Sequence, residues 1–234
     1  MKSFIAACFY LLLVTLPVNA QITNKSDSLA TKITDSLIRV MSANYSLKIR
    51  DSIIKKVKDS LRWEKIKSTG TLPLIKNSEW SAVYPVNQVD EKPDPSMKYK
   101  LLFNMIIWSK DSFSLKHINE GLAEIGRIIN LHIAAGVPKE NLELAIVIHG
   151  GAMNVYLKNE VYQKKFKTDN PNLDILRQFL DLHARLMACG QAELFFNIPP
   201  EDMIPEVKTA FSANIVLSTY QLKGYVLYTI QDDK

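Results

Sequence analysis

Apolar side chains recur at Leu29, Ile33, Leu37, Met41, Tyr45, Ile49, Ile53, Val57 and Leu61, and no Pro or Gly interrupts them. This is helical spacing, and it predicts a helix over residues 26–67. The tripeptide Asp-Ser-Leu/Ile repeats at 27–29, 35–37, 51–53 and 59–61, an eight-residue register that lacks only its middle copy. A strict four-residue stripe drifts around an ideal helix, so it defines no standard heptad seam. Two readings follow: an oligomerisation or packing helix with a solvated basic face, which is the plainer one, or an amphipathic arm for a membrane surface or partner. Between 68 and 97 the periodicity stops. Gly70, Pro73, Pro85, Pro93 and Pro95 punctuate the stretch, which predicts a linker, with pieces able to lie extended along the core.

From residue 98 strands and helices alternate. Residues 99–107 form a strongly apolar strand, and 115–135 an amphipathic helix closed by Gly136 with Pro138 beyond. Residues 142–148, Leu-Glu-Leu-Ala-Ile-Val-Ile, are apolar enough for a strand buried on both faces. Helices are predicted around 154–166 and 171–183, the second opening on Asn170-Pro171 as N-cap and first helical residue. A short strand at 186–189 is broken by Gly190-Gln191, and a Pro-rich turn covers 198–206. A strand near Val207, a helix over 210–222 and a last strand at 225–230 complete the chain. The result is an α/β domain over 98–234 with a mostly parallel sheet of about five strands, covered on both faces.

The start of the chain has a separate explanation. Lys2, an apolar run from Phe4 to Leu16, and small residues before Ala20 are the parts of a signal peptide over 1–20, with Gln21 as the expected new N-terminus. The protein is therefore expected to be exported, periplasmic or secreted. Removal of that segment takes Cys8 with it and leaves Cys189 alone, so no disulfide can form within the mature chain.

Charge changes the picture only at the arm. The formal charge is +5, which by itself invites a nucleic-acid or membrane partner. Residues 21–67 hold eleven basic and five acidic side chains, 68–95 hold two and four, and 96–234 hold fifteen of each. The α/β section is neutral, so nucleic acid is not an expected partner, and any contact with a membrane surface belongs to the arm as a minor option.

Ligands of open α/β sheets sit at the carboxyl ends of the strands. The residues expected there are Trp108-Ser109, His149-Gly150-Gly151 and Cys189-Gly190-Gln191. A thiolate is favoured by exposed amides or a nearby imidazolium; Gly190 permits close backbone approach, and His149 is a neighbour if the second and third strands are adjacent. The same residues suit a plain core: Cys is among the most buried types, and a strand-end His before Gly-Gly can simply cap a turn. His117, His132, His149 and His183 have no metal-ligand spacing, so no metal is expected. No Gly-x-Gly-x-x-Gly follows a strand, and no Walker loop or Gly-x-Ser-x-Gly elbow occurs, so no bound cofactor and no serine hydrolase is expected. Tyr156, Tyr162 and Phe166 are at helical spacing and read as core.

Several short runs, in order, resemble the DsrE/DsrF-like sulfur-relay family, in its exported, stand-alone branch. They are Ile129-Asn130-Leu131-His132 with Ala134-Ala135-Gly136-Val137-Pro138, Val147-Ile148-His149-Gly150-Gly151-Ala152, Asp169-Asn170-Pro171-Asn172, Cys189-Gly190-Gln191 and Gln221-Leu222-Lys223-Gly224-Tyr225. The resemblance covers about 98–231. It implies a three-layer α/β/α domain that assembles as homotrimers or hexamers, with Cys189 at the position that carries sulfur as a persulfide. His149 and Gln191 match motif positions, without an implied role. Two departures stand out: an export signal where the relay proteins are cytoplasmic, and the basic arm outside the family domain. The expected function is sulfur handling through Cys189, a carrier or transferase serving a thiol-bearing protein partner. The alternative is a non-catalytic oligomeric binding module with a pocket lined by Trp108, His149 and Gln191.

Overall fold

The computed structural model describes residues 32–37, 47–76 and 78–231. The signal-peptide segment 1–20 and residues 21–31 and 38–46 of the arm lie outside the described residues. The chain divides into two units between Ser68 and Thr69. In the first, residues 32–37 are helical and α1 runs over Leu47–Lys67. Helix α1 has no acid in its first turn but ends on Lys65 and Lys67, which face the negative end of the helix dipole. Among the described residues no helix is long and apolar enough to cross a membrane.

The second unit is built on five strands, β1 Tyr99–Met105, β2 Leu142–Ile148, β3 Arg185–Cys189, β4 Lys208–Ala210 and β5 Val226–Ile230. They lie in the order β4-β3-β2-β1-β5, and every pair is parallel. Leu101 pairs with Leu144, Asn104 with Val147, and Ile148 with Ala188. Side chains alternate between faces along each strand. One face therefore presents Leu101, Phe103, Met105, Leu144, Ile146, Ile148, Leu186 and Ala188, all buried. The other presents Leu102, Asn104, Val147, Met187 and Cys189.

Helix α2, Glu120–Ala134, lies on the first face: a Cβ at Gly121 would meet Met105 Cγ at 2.8 Å. Helices α3 Asn159–Phe166, α4 Leu173–Asp181 and α5 Gly190–Phe196 follow. Helix α6, Ala213–Leu222, packs on β1, β2, β4 and β5. Its Tyr220 hydroxyl meets Arg185 Nη1 at 3.5 Å, which places it on the second face. Helices thus cover both faces of a parallel five-stranded sheet, the expected α/β/α layering.

Local chemistry moved several boundaries. Helix α2 starts at Glu120 rather than 115, because the Asn119 side chain accepts from Gly121 N–H and caps it there. Residues 150–156 are a 3-10 segment rather than helix α3's first turns. Asn170 is not the cap of α4. Its amide donates to the carbonyls of Val155 and Leu157, and its Oδ1 takes Asn172 N–H. Gly190 does not end the order after β3; it begins α5.

The stretch 68–97, expected to be a linker, is in its first half a strap on α2. Thr71 and Val83 form an antiparallel bridge. The fully buried Asn130 takes the N–H groups of Leu74 and Ile75 at 3.1 and 2.8 Å and donates to the carbonyls of Ile75 and Ser81 at 2.9 Å. Ser81 Oγ donates to Ala123 O at 2.7 Å. Gly126 leaves room for this: a Cβ there would stand 2.8 Å from Ser81 Oγ. Proline and lost periodicity read as linker because the partner is a helix fifty residues away.

Candidate functional site

Because the strands are parallel, the carboxyl ends of β1, β2 and β3 share one edge. The chain beyond β1 carries Trp108, and a buried asparagine chain fixes it. Asn119 Nδ2 donates to Ile107 O and Ser109 Oγ at 2.8 and 3.1 Å, while Asn119 N–H donates to Asn172 Oδ1 at 2.8 Å. Trp108 is half-exposed and meets Phe196 of α5 edge-on, centroids 5.7 Å apart. Lys110 Nζ sits 5.1 Å from its ring centroid. A Cβ added at Gly151 would fall inside the Trp108 indole, so that glycine is required by close approach. Gly150 has φ +63°, which turns the chain off β2.

His149, the first residue past β2, keeps extended dihedrals and its N–H donates to Met105 O at 3.3 Å. Its ring is half-buried, and Nε2 donates to Asn104 Oδ1 at 3.0 Å. Burial holds its pKa below the usual histidine value. Cys189 ends β3 and occupies the N-cap position of α5, where its side chain makes no capping hydrogen bond. It is a free thiol, 6% exposed. Strands β2 and β3 are adjacent, and Ile148 pairs with Ala188. Both chains are still extended one residue later, so the register carried one step further puts His149 and Cys189 at neighbouring positions on the same face of the sheet.

Gly190 follows against β4, where a Cβ would stand 2.9 Å from Ala210 O. Glu193, a turn further on, accepts from Thr209 Oγ1 at 2.6 Å. These two contacts set the direction of α5. Gln191 points outward and is exposed. The structure therefore brings Trp108 onto Gly151 and places His149 and Cys189 at neighbouring positions of adjacent strands, while Gln191 is exposed on α5. Among the described residues no group of three His, Cys, Asp or Glu side chains is placed to hold a metal ion. A cavity of about 400 Å³ lies at the opposite, amino-terminal ends of β2 and β3, lined by Lys139, Glu143, Asp181, His183, Arg185 and Tyr225.

The sequence reading overlooked Asn104, Asn119 and Phe196. Asn104 carried a signal, being a polar residue within the apolar run Leu101-Leu102-Phe103-Asn104-Met105, and such a group needs a partner.

The family model described as DsrE/DsrF-like matches residues 121–229. Over those residues the α/β domain is similar to that family. The match runs from α2 into β5 and contains His149, Cys189 and Gln191; β1 and the strap precede it. No curated protein matches the chain by sequence. Among solved structures the chain is similar to MTH1491, a protein of unknown function from Methanobacterium thermoautotrophicum. The two are 14% identical, with 56% of this chain and 98% of that chain covered, at a TM-score of 0.40.

Proposed function

We propose that the protein handles sulfane sulfur, with Cys189 as the carrier. The DsrE/DsrF-like match supports a sulfur-relay-like role in general. The observation that carries the finer reading is a free thiol at the end of an interior parallel strand, inside the matched span. The Cys189 thiolate attacks the outer sulfur of a donor persulfide. An Sγ–S bond forms as the donor's S–S bond breaks, and the donor leaves as a thiolate. An acceptor thiolate then attacks the same sulfur, and Cys189 Sγ leaves with the electron pair. The transferred sulfur keeps its oxidation state, so no outside oxidant is needed. The acceptor is a thiol-bearing protein, since a slender side chain can reach a thiol that is 6% exposed. Exposure of the wild-type protein and Cys189→Ser to polysulfide, followed by intact mass measurement, tests this. One added sulfur on wild type and none on the variant is expected; an unmodified wild type under conditions that load a control thiol overturns it.

The site is proposed to work in an exported homo-oligomer. Leu194 and Phe195 of α5 and Phe211 just beyond β4 are 78%, 85% and 77% exposed. Monomers rarely leave such apolar surface open. Export is tested by the N-terminal residue of the protein recovered from a secreting host, expected at Gln21.

The second reading, a non-catalytic binding module, is favoured by the burial of Cys189 and by Trp108 covering Gly151. A folded-state rate of Cys189 alkylation as slow as that of an inert core thiol, together with no sulfur loading, selects it.

A further inference from the structure

We propose that Asn104 is a positioning residue for the chemistry of Cys189 and acts by fixing the tautomer of His149. The inference rests on the reading of Cys189 as the sulfur carrier. Asn104 is the sixth residue of β1, flanked by buried Phe103 and Met105. Register places it beside Val147, and Val147 beside Met187. Two residues further on, β2 and β3 reach His149 and Cys189, on the same face as Asn104. The three side chains therefore follow one another across three adjacent strands at one edge.

The bond from His149 Nε2 to Asn104 Oδ1 puts the ring proton on Nε2. The lone pair is then on Nδ1, the nitrogen left to receive a proton. Transfer of the Cys189 proton to Nδ1 leaves a thiolate and an imidazolium, whose Nε2–H still donates to Asn104. The backbone bond of His149 to Met105 O holds the residue in place meanwhile. Independently of the tautomer, burial favours the neutral imidazole, the form a proton acceptor requires.

Few other charges complicate this face. Lys100, Glu143, Arg185 and Lys208 lie nearer the amino-terminal ends of the strands. Helix α6 contains no Asp, Glu, Lys, Arg or His, and neither does the 150–156 segment. Glu193 of α5 is engaged with Thr209. The only titratable side chain level with His149 on β3 is Cys189 itself.

The test is the rate of Cys189 alkylation by iodoacetamide, measured from about pH 5 to about pH 10, where thiol and imidazole both titrate. Asn104→Leu should move the profile to higher pH than in wild type and slow the reaction at neutral pH by about tenfold or more. Asn104→Asp, which keeps the acceptor, should retain the wild-type profile or extend it to lower pH. In a His149→Gln background, Asn104→Leu should change nothing further. Nitrogen NMR of the His149 ring reads the tautomer directly: Nε2–H in wild type, a mixture in Asn104→Leu. An unchanged profile and an unchanged tautomer in a folded Asn104→Leu protein overturn the inference. Sulfur loading of wild type is scored separately, so failure to load sinks the carrier reading, whereas loading with an indifferent Asn104 sinks this one alone.

Discussion

At the scale of single residues, the half-buried His149 links the site to stability. Its pKa is held below 6.5 in the folded protein, by burial. The unfolded chain therefore binds more protons than the folded one once the pH falls below about 6.5, and stability declines with falling pH until the folded-state value has also been passed. Above about 6.5 the contribution is fully present. His149→Gln is expected to flatten this part of the profile, which melting temperatures of wild type and variant between about pH 4 and pH 8 would measure. An acid-side slope identical in both proteins would assign the loss to other groups. Asn104 teaches the complementary lesson about sequence. An amide within an apolar strand announces that a partner exists, but not that the partner is a histidine on the next strand.

At the scale of elements, two short segments are positioned by contacts of a few atoms. The strap over 71–83 depends most on one side chain, because Asn130 satisfies two of its N–H groups and two of its carbonyls, beside the single bonds of Ser81 and Lys76. Asn130→Leu leaves these groups without partners, each costing about 1–3 kcal/mol where buried. A loss of at least about 3 kcal/mol in urea unfolding is expected, with faster amide exchange across 74–83. Exchange unchanged in that segment would mean that the strap is held elsewhere. Helix α5 depends on Gly190 lying against β4. Gly190→Ala forces a methyl toward Ala210 O, which is backbone and cannot swing aside. The expected cost is about 1–3 kcal/mol, with a change in Cys189 alkylation rate because the neighbouring residue shifts. A variant with wild-type stability and wild-type thiol kinetics would show that β4 yields at no cost. Helix α5 was hidden from the sequence for the same reason. Gly190-Gln191 looks like a break, and Leu194 and Phe195 face outward, so no amphipathic period survives.

At the scale of the whole molecule, the proposed self-association is tested on the exposed side chains beyond β3 and β4. If Leu194, Phe195 and Phe211 meet another copy, Phe195→Glu and Phe211→Glu should lower the mass measured by sedimentation equilibrium while leaving the melting curve of the α/β unit cooperative. Deletion of residues 21–67 separates this from assembly through the arm: a drop in mass only on deletion would transfer the interface there. The charge distribution belongs to the same scale. The basic surplus sits in 21–67 and the domain bearing Cys189 is neutral. Salt-sensitive partners are therefore expected to follow the arm and sulfur transfer to be largely insensitive to salt.

The sequence by itself determined the strands and the class of fold. The run 142–148 became β2 without a change of boundary, because a strand buried on both faces is apolar at nearly every position, here all but Glu143, and needs no knowledge of its neighbours. It also marked Cys189 and His149 as strand-end residues, since turn-forming glycines follow both. Tertiary structure alone decided which of these meet. Strand order put β2 beside β3, and so the ends that carry His149 and Cys189; a fifty-residue reach laid part of the expected linker on α2 as a strap; and Asn104 gained its hydrogen-bond partner from forty-five positions away. Periodicity reports whether a side chain is buried, which is a local property of the pattern. Which side chain it touches depends on the order in which strands pair, and no stretch of sequence contains that order.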